Sequence, residues 1–65
     1  MTTYVFQKNN EYLVDFDVAG IPVTTSDVNK ALWLSPNIDD DWDGYAIPAE
    51  NNGFKAINLG DIEEN

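Results

Sequence analysis

The sequence predicts an α+β fold: a small antiparallel sheet of three to four strands, begun by an N-terminal β-hairpin, with one short helix packed on one face. Three observations carry that expectation. Tyr12, Val14, Phe16 and Val18 alternate with Glu11, Leu13, Asp15 and Asp17 at the period of a half-buried strand. Thr3–Lys8, rich in β-formers, precedes this strand across Asn9-Asn10, two residues that tolerate the positive φ a type I′ turn requires. Val28, Ala31 and Leu32 then recur at helical spacing between Thr25-Ser26 and Ser35-Pro36.

A two-residue turn sets the hairpin register by counting outward. Lys8 faces Glu11 as a cross-strand ion pair, Gln7 faces Tyr12, Phe6 faces Leu13, Val5 faces Val14 and Tyr4 faces Asp15. One face then carries Val5, Tyr12, Val14, Phe16 and Val18 and is the expected core face. The other carries Tyr4, Phe6 and Leu13 beside Asp15 and Asp17, and its apolar residues are either covered by a later segment or exposed as a contact patch.

Ala19-Gly20 interrupts the strand, and Ile21–Thr24 resumes an extended path because the residue before Pro22 is pushed out of the α region. Pro22 removes a backbone donor, so this segment suits a sheet edge. The helix follows, capped by Thr25 or Ser26 with Asp27 in its first turn, and Ser35-Pro36 ends it. Trp33 or Leu34 closes one end of the core. Asn37–Asn52 reads as one long loop, Gly53–Leu59 alternates again as a last strand, and Asp61–Asn65 is an acidic tail after a single domain spanning residues 1–60.

Composition narrows the chemistry. The 65 residues include 12 acidic side chains against 3 lysines, no histidine and no cysteine, for a formal net charge of −9. Direct binding to nucleic acid is disfavoured, because neutralising phosphates takes Lys and Arg clusters, and anionic membranes are disfavoured for the same reason. Without His or Cys the usual general base, nucleophile and transition-metal ligands are missing, so the expectation is a protein that is not an enzyme and needs no cofactor. No basic-then-apolar leader and no long apolar run is visible, and the expected compartment is the cytoplasm, the host's if the chain is phage-encoded.

Two readings of the acidic residues remain. Asp39, Asp41, Asp43, Gly44 and Glu50 fit the spacing D-x-D-x-D-G-x5-E, in which alternate carboxylates converge on a hard cation around a glycine turn. Over Asp39–Glu50 the chain resembles the calcium loops of the EF-hand family. That resemblance implies Ca2+ ligation by Asp39, Asp41, Asp43, the Tyr45 carbonyl and Glu50. The chain departs from the family at Ala46, where a branched apolar residue is usual, and at Pro36 and Pro48, which fall in the flanking helices.

The other reading rests on charge. Asp15 and Asp17 project from a strand about 7 Å apart, near the spacing of phosphates along a nucleic-acid strand. Together with Asp39, Asp40, Asp41 and Asp43 they would offer fixed negative charge to a basic groove, with Trp42 and Tyr45 as aromatic anchors inside the charged rim. In size and composition the chain is similar to the small acidic inhibitors of phages and mobile elements, of anti-CRISPR or anti-restriction type. The expected function is therefore a binding protein that mimics nucleic acid and occupies a basic, nucleic-acid-binding surface of a larger host protein. The alternatives are the calcium-binding module and a small structural or assembly protein that forms homo-oligomers through Tyr4, Phe6 and Leu13.

Overall fold

Hydrophobic alternation near the N-terminus and a second alternating run near the C-terminus meet in one sheet. The computed structural model describes residues 2–62 and orders its strands β3-β2-β1-β4, all antiparallel, where β1 is Tyr4–Lys8, β2 is Glu11–Phe16, β3 is Pro22–Thr25 and β4 is Lys55–Asn58. The α+β class, the N-terminal hairpin and the edge position of the proline-containing strand follow the sequence-based expectation. Asn9 and Asn10 form the turn with φ of 54° and 70°, the two positive values a type I′ loop demands.

The hairpin register holds for Lys8 opposite Glu11 and Gln7 opposite Tyr12, and there the pairing of β1 with β2 stops. The expected pairs Phe6–Leu13, Val5–Val14 and Tyr4–Asp15 give way to a third segment. The Leu32 amide donates to the Leu13 carbonyl at 2.9 Å, while Tyr4 and Leu34 exchange both backbone hydrogen bonds, at 2.7 and 3.0 Å. Residues 32–34 thus run antiparallel to β1 inside the fork between the two hairpin strands. This position needs extended backbone, so the helix expected between Ser26 and Leu34 shrinks to one 3₁₀ turn, Val28–Lys30, whose first amides are held by Asp27 Oδ1 accepting from Asn29 N.

A second irregularity decides where Phe16 lies. The register of β2 on β3 shifts between Leu13 and Asp15, so a bulge moves Phe16 onto the same side as Leu13. The core is Phe6, Leu13, Leu34, Ala46, Ala49 and Phe54, with Phe16, Leu32, Trp42 and Tyr45 packed against it. This corrects the expected core face in part: Val5 is fully buried and Phe16 packs against the core as expected, but the rest of that face is not the core. Phe6 and Leu13 lie inside, Val18 stands wholly exposed in the β2–β3 turn, and Tyr12 and Val14 are half-buried on the opposite side. Leu34 closes the core as expected, while Trp33 between the two leucines stays 44% exposed.

The layer over this core is α1, Trp42–Asn51, which occupies most of the stretch read as a loop. Trp42, Tyr45, Ala46 and Ala49 recur at i, i+3, i+4 and i+7 and form its inward stripe. Pro48 sits inside the helix with Gly44 four residues before it, where the proline removes the donor that would have met the Gly44 carbonyl. Interior Pro and Gly both lower helical preference, so the helix depends on its packed stripe.

Its C-terminus is closed twice. Gly53, at φ 90°, adopts the left-handed conformation, Phe54 N donates to Ala49 O at 2.9 Å and Gly53 N to Glu50 O at 3.0 Å, which together make a Schellman cap. Lys8 Nζ adds a hydrogen bond to the Asn52 carbonyl at 2.7 Å and lies 5.7 Å from the Phe54 ring centroid. The cation therefore sits at the negative end of the helix dipole. Among the described residues no ion pair joins Lys8 to Glu11, whose carboxylate accepts from the Thr24 hydroxyl. After β4 the chain turns into α2, Leu59–Ile62, so Asp61 and Ile62 of the expected tail continue as helical backbone, and the remainder of that tail lies outside the described residues.

The two glycines of α1 and its cap make opposite predictions. A Cβ at Gly44 meets nothing within 4 Å, so Gly44→Ala should stabilise the fold by about 1 kcal/mol through helix preference alone. Gly53→Ala should destabilise it by about 1 kcal/mol or more, because a side chain is strained at that φ. Urea midpoints of the two variants moving in opposite directions with unchanged slope are the expected result.

Candidate acidic surface

The carboxylates divide into those the fold uses and those it leaves free. Asp39 belongs to the first group. Its Oδ2 accepts from Ser35 N at 2.7 Å while its own amide donates to Ser35 O at 2.9 Å. Ser35 is buried and its hydroxyl meets that of Thr3 at 3.1 Å, so this clasp fixes the turn that carries the chain from residues 32–34 into α1. Asp17 Oδ1 accepts from Ala19 N and Ile21 N, both at 2.9 Å, closing the β2–β3 turn. Asp15 Oδ1 accepts from Phe16 N at 2.8 Å at the bulge.

Asp40, Asp41 and Asp43 are exposed around the start of α1, with Asp41 at the N-cap position making no side-chain cap. Three negative charges there complement the positive end of the helix dipole. The sheet places Asp15 and Asp17 at the same end of the molecule. Tyr4 and Phe16 mark the open end of the hairpin, Trp42 packs on Tyr4 and Phe6 at centroid distances of 5.5 and 5.3 Å, and Tyr45 stacks on Phe16 at 6.4 Å. Hence α1 starts where β2 finishes. Lys8 and Lys55 lie at the opposite, turn end, since Lys55 pairs with Gln7, and Lys30 lies in the connection from Thr25 to Leu32, level with Tyr12 and Leu13. The charge of the chain is thereby polarised along the strands.

The aromatic anchors of the charge-based reading take another role. Trp42 and Tyr45 are half-buried and face the sheet, so they hold α1 in place and do not project from the rim. Tyr4, Phe6 and Leu13 are likewise covered, Phe6 and Leu13 almost completely, which removes the patch expected to support homo-oligomers. The segment that covers them is the one containing Trp42.

The calcium-loop reading fails on backbone geometry. A loop that wraps a cation must turn about Gly44, but Trp42–Asn51 is helical, and Asp43 and Glu50 are separated by about 10 Å of helix rise. The Tyr45 carbonyl is directed along the helix axis, and Asp39 is committed to Ser35. Among the described residues no group of three or more His, Cys, Asp or Glu side chains could hold a metal ion. Asp39, Asp41, Asp43, Tyr45 and Glu50 are therefore not assembled as ligands.

Trp33, expected as one of two residues that could close the core, is instead 44% exposed. It stands on the side of the sheet away from α1, with Nε1 donating to the Val28 carbonyl at 2.9 Å. Its neighbours Leu32 and Leu34, both apolar at i−1 and i+1 in an extended segment, signal that the middle side chain faces the other way.

No helix among the described residues is long and apolar enough to cross a membrane. The chain matches no protein-family model, and neither the curated proteins nor the solved structures include a match.

The distinction between clasp and free carboxylate is measurable. Asp39→Ala should lower stability by about 1 to 3 kcal/mol, because it leaves the Ser35 amide of a buried residue without its acceptor. Asp40→Ala should stay within about 0.5 kcal/mol of the parent. Thermal denaturation of both, followed by far-ultraviolet circular dichroism, would check the contrast.

Proposed function

We propose that this chain is a non-enzymatic acidic binding protein that occupies a basic, nucleic-acid-binding surface on a larger protein. The supporting observation is the polarised charge: Asp15, Asp17, Asp40, Asp41 and Asp43 are exposed at one end of the molecule and the lysines lie away from it. A cluster of like charge mounted on a strand end and a helix start steers a cationic partner and offers its Lys and Arg groups acceptors in place of phosphates. In this reading the partner is a host protein and the chain an inhibitor of the phage or mobile-element kind, acting in the cytoplasm. Because Trp42 is engaged with the sheet, the acidic end acts through charge and not through an aromatic anchor at that end.

The reading requires competition. A partner captured on the immobilised chain should release its nucleic acid when saturated, and its affinity should fall steeply as salt rises from about 0.05 to 0.2 M. Asp41→Lys with Asp43→Lys should slow association at least tenfold with little change in dissociation. A saturated partner that still binds nucleic acid at full strength would reduce the acidic end to a solubility device.

A further inference from the structure

The side of the sheet away from α1 is only partly open: Val5, which the register puts on that side, is fully buried, while Trp33 and Val23 remain accessible. The register places Val5 opposite Ile57, Gln7 opposite Lys55 and Tyr12 opposite Thr25, all on the side opposite Phe6 and Leu13. Asp15 stands across from Val23 at the bulge. Trp33 joins this side from the segment between the hairpin strands. Trp33 and Val23 are each 44% exposed, and Tyr12, Val14 and Ile57 are half-buried.

Two properties mark this face as a contact surface. Trp33 is held by its indole bond to Val28 O, so a binding partner would meet a side chain whose rotamer is already set and would lose little entropy in ordering it. Asp15, across from Val23, and Asp17, in the turn beyond it, put carboxylates at the Val23 end of this face, while Lys55 stands opposite Gln7 at the other end, so the acidic rim borders Val23 and not the whole face. Charge then selects the occupant. A second copy brings another net charge of −9 against the first, whereas a cationic segment gains from the same rim.

We propose that the open part of the sheet face away from α1, anchored by Trp33 with Val23 and bordered at that end by Asp15 and Asp17, docks an amphipathic basic segment of a partner protein. This rests on the acidic-binder reading and adds to it the apolar contact that charge alone lacks. The acidic end would govern the rate of encounter, and the Trp33 face the lifetime of the complex.

A ¹⁵N-labelled sample titrated with a synthetic peptide, lysine and leucine spaced so that one helical face is basic and the other apolar, tests the idea at about 0.15 M salt. An all-lysine peptide of equal length is the control. The expected result is at least tenfold tighter binding of the amphipathic peptide, with shifts centred on the Trp33 indole N–H, Val14 and Val23. Trp33→Ala should lower the melting temperature somewhat and, at a temperature where the variant is still folded, weaken that binding about tenfold, and the surface change Val23→Thr should weaken it less. Equal binding of both peptides, with shifts at Asp40–Asp43, would overturn the docking face and leave the acidic-binder reading standing. Failure of both peptides to bind would overturn both. A concentration-dependent dimer abolished by Trp33→Ala in sedimentation experiments would assign the face to a second copy and overturn the basic-segment proposal.

Discussion

The insertion of residues 32–34 between β1 and β2 is the constraint on which the other elements depend. A hairpin that opens after two pairs exposes backbone groups, and an unpaired buried amide or carbonyl costs on the order of 1 to 3 kcal/mol. Leu32 and Leu34 satisfy those of Leu13 and Tyr4 and bring two leucine side chains to the core at the same time. The inserted segment also fixes where the chain exits. From Leu34 it passes through the Ser35–Asp39 clasp directly to the start of α1, so the helix lies with Trp42 on Tyr4 and Phe6.

What local sequence encodes was legible, and what distant contact decides was not. The Asn9-Asn10 turn and the first two cross-strand pairs depend only on neighbouring residues, as does the edge strand with Pro22. Phe6 and Leu13 face inward because α1 packs on their side of the sheet, and the bulge then brings Phe16 round to join them; a period-2 pattern announces neither, so Tyr12 and Val14 looked like core positions. The short helix expected near Val28, Ala31 and Leu32 had the right spacing, but Leu32 and Leu34 contribute more to this fold as extended backbone between strands. The real helix did carry its signal in Trp42, Tyr45, Ala46 and Ala49. Gly44, Pro48 and the aspartates obscured it, and the match of those aspartates to a calcium loop drew attention to spacing along the sequence where the helical spacing of the aromatic and alanine residues was the governing pattern.

The acidic residues illustrate how composition and placement differ. Asp15, Asp17, Asp27 and Asp39 each accept backbone amides at a bulge, a turn, a 3₁₀ start and a clasp, roles that Asn or Ser fill in less acidic chains. Asp40, Asp41 and Asp43 have no such bond among the described residues, so their charge has its full effect outward and on the helix dipole. Position along the strands, which no count of residues reveals, turns an overall excess of negative charge into a directed one.

The inserted segment also bears on the order in which the chain can fold. An N-terminal hairpin closed by two asparagines is the sort of element that forms within microseconds and could seed the rest. Here it has only two pairs of its own, and both its strands need partners from further along: β2 takes β3 and Leu32, while β1 takes Leu34 and then β4, some fifty residues away. Contacts of such sequence separation raise the entropic barrier, and they make native structure conditional on Lys55–Asn58 being present. On a ribosome, the fast hairpin would flicker until the last strand emerged, and the protein would then acquire its structure in a single late step.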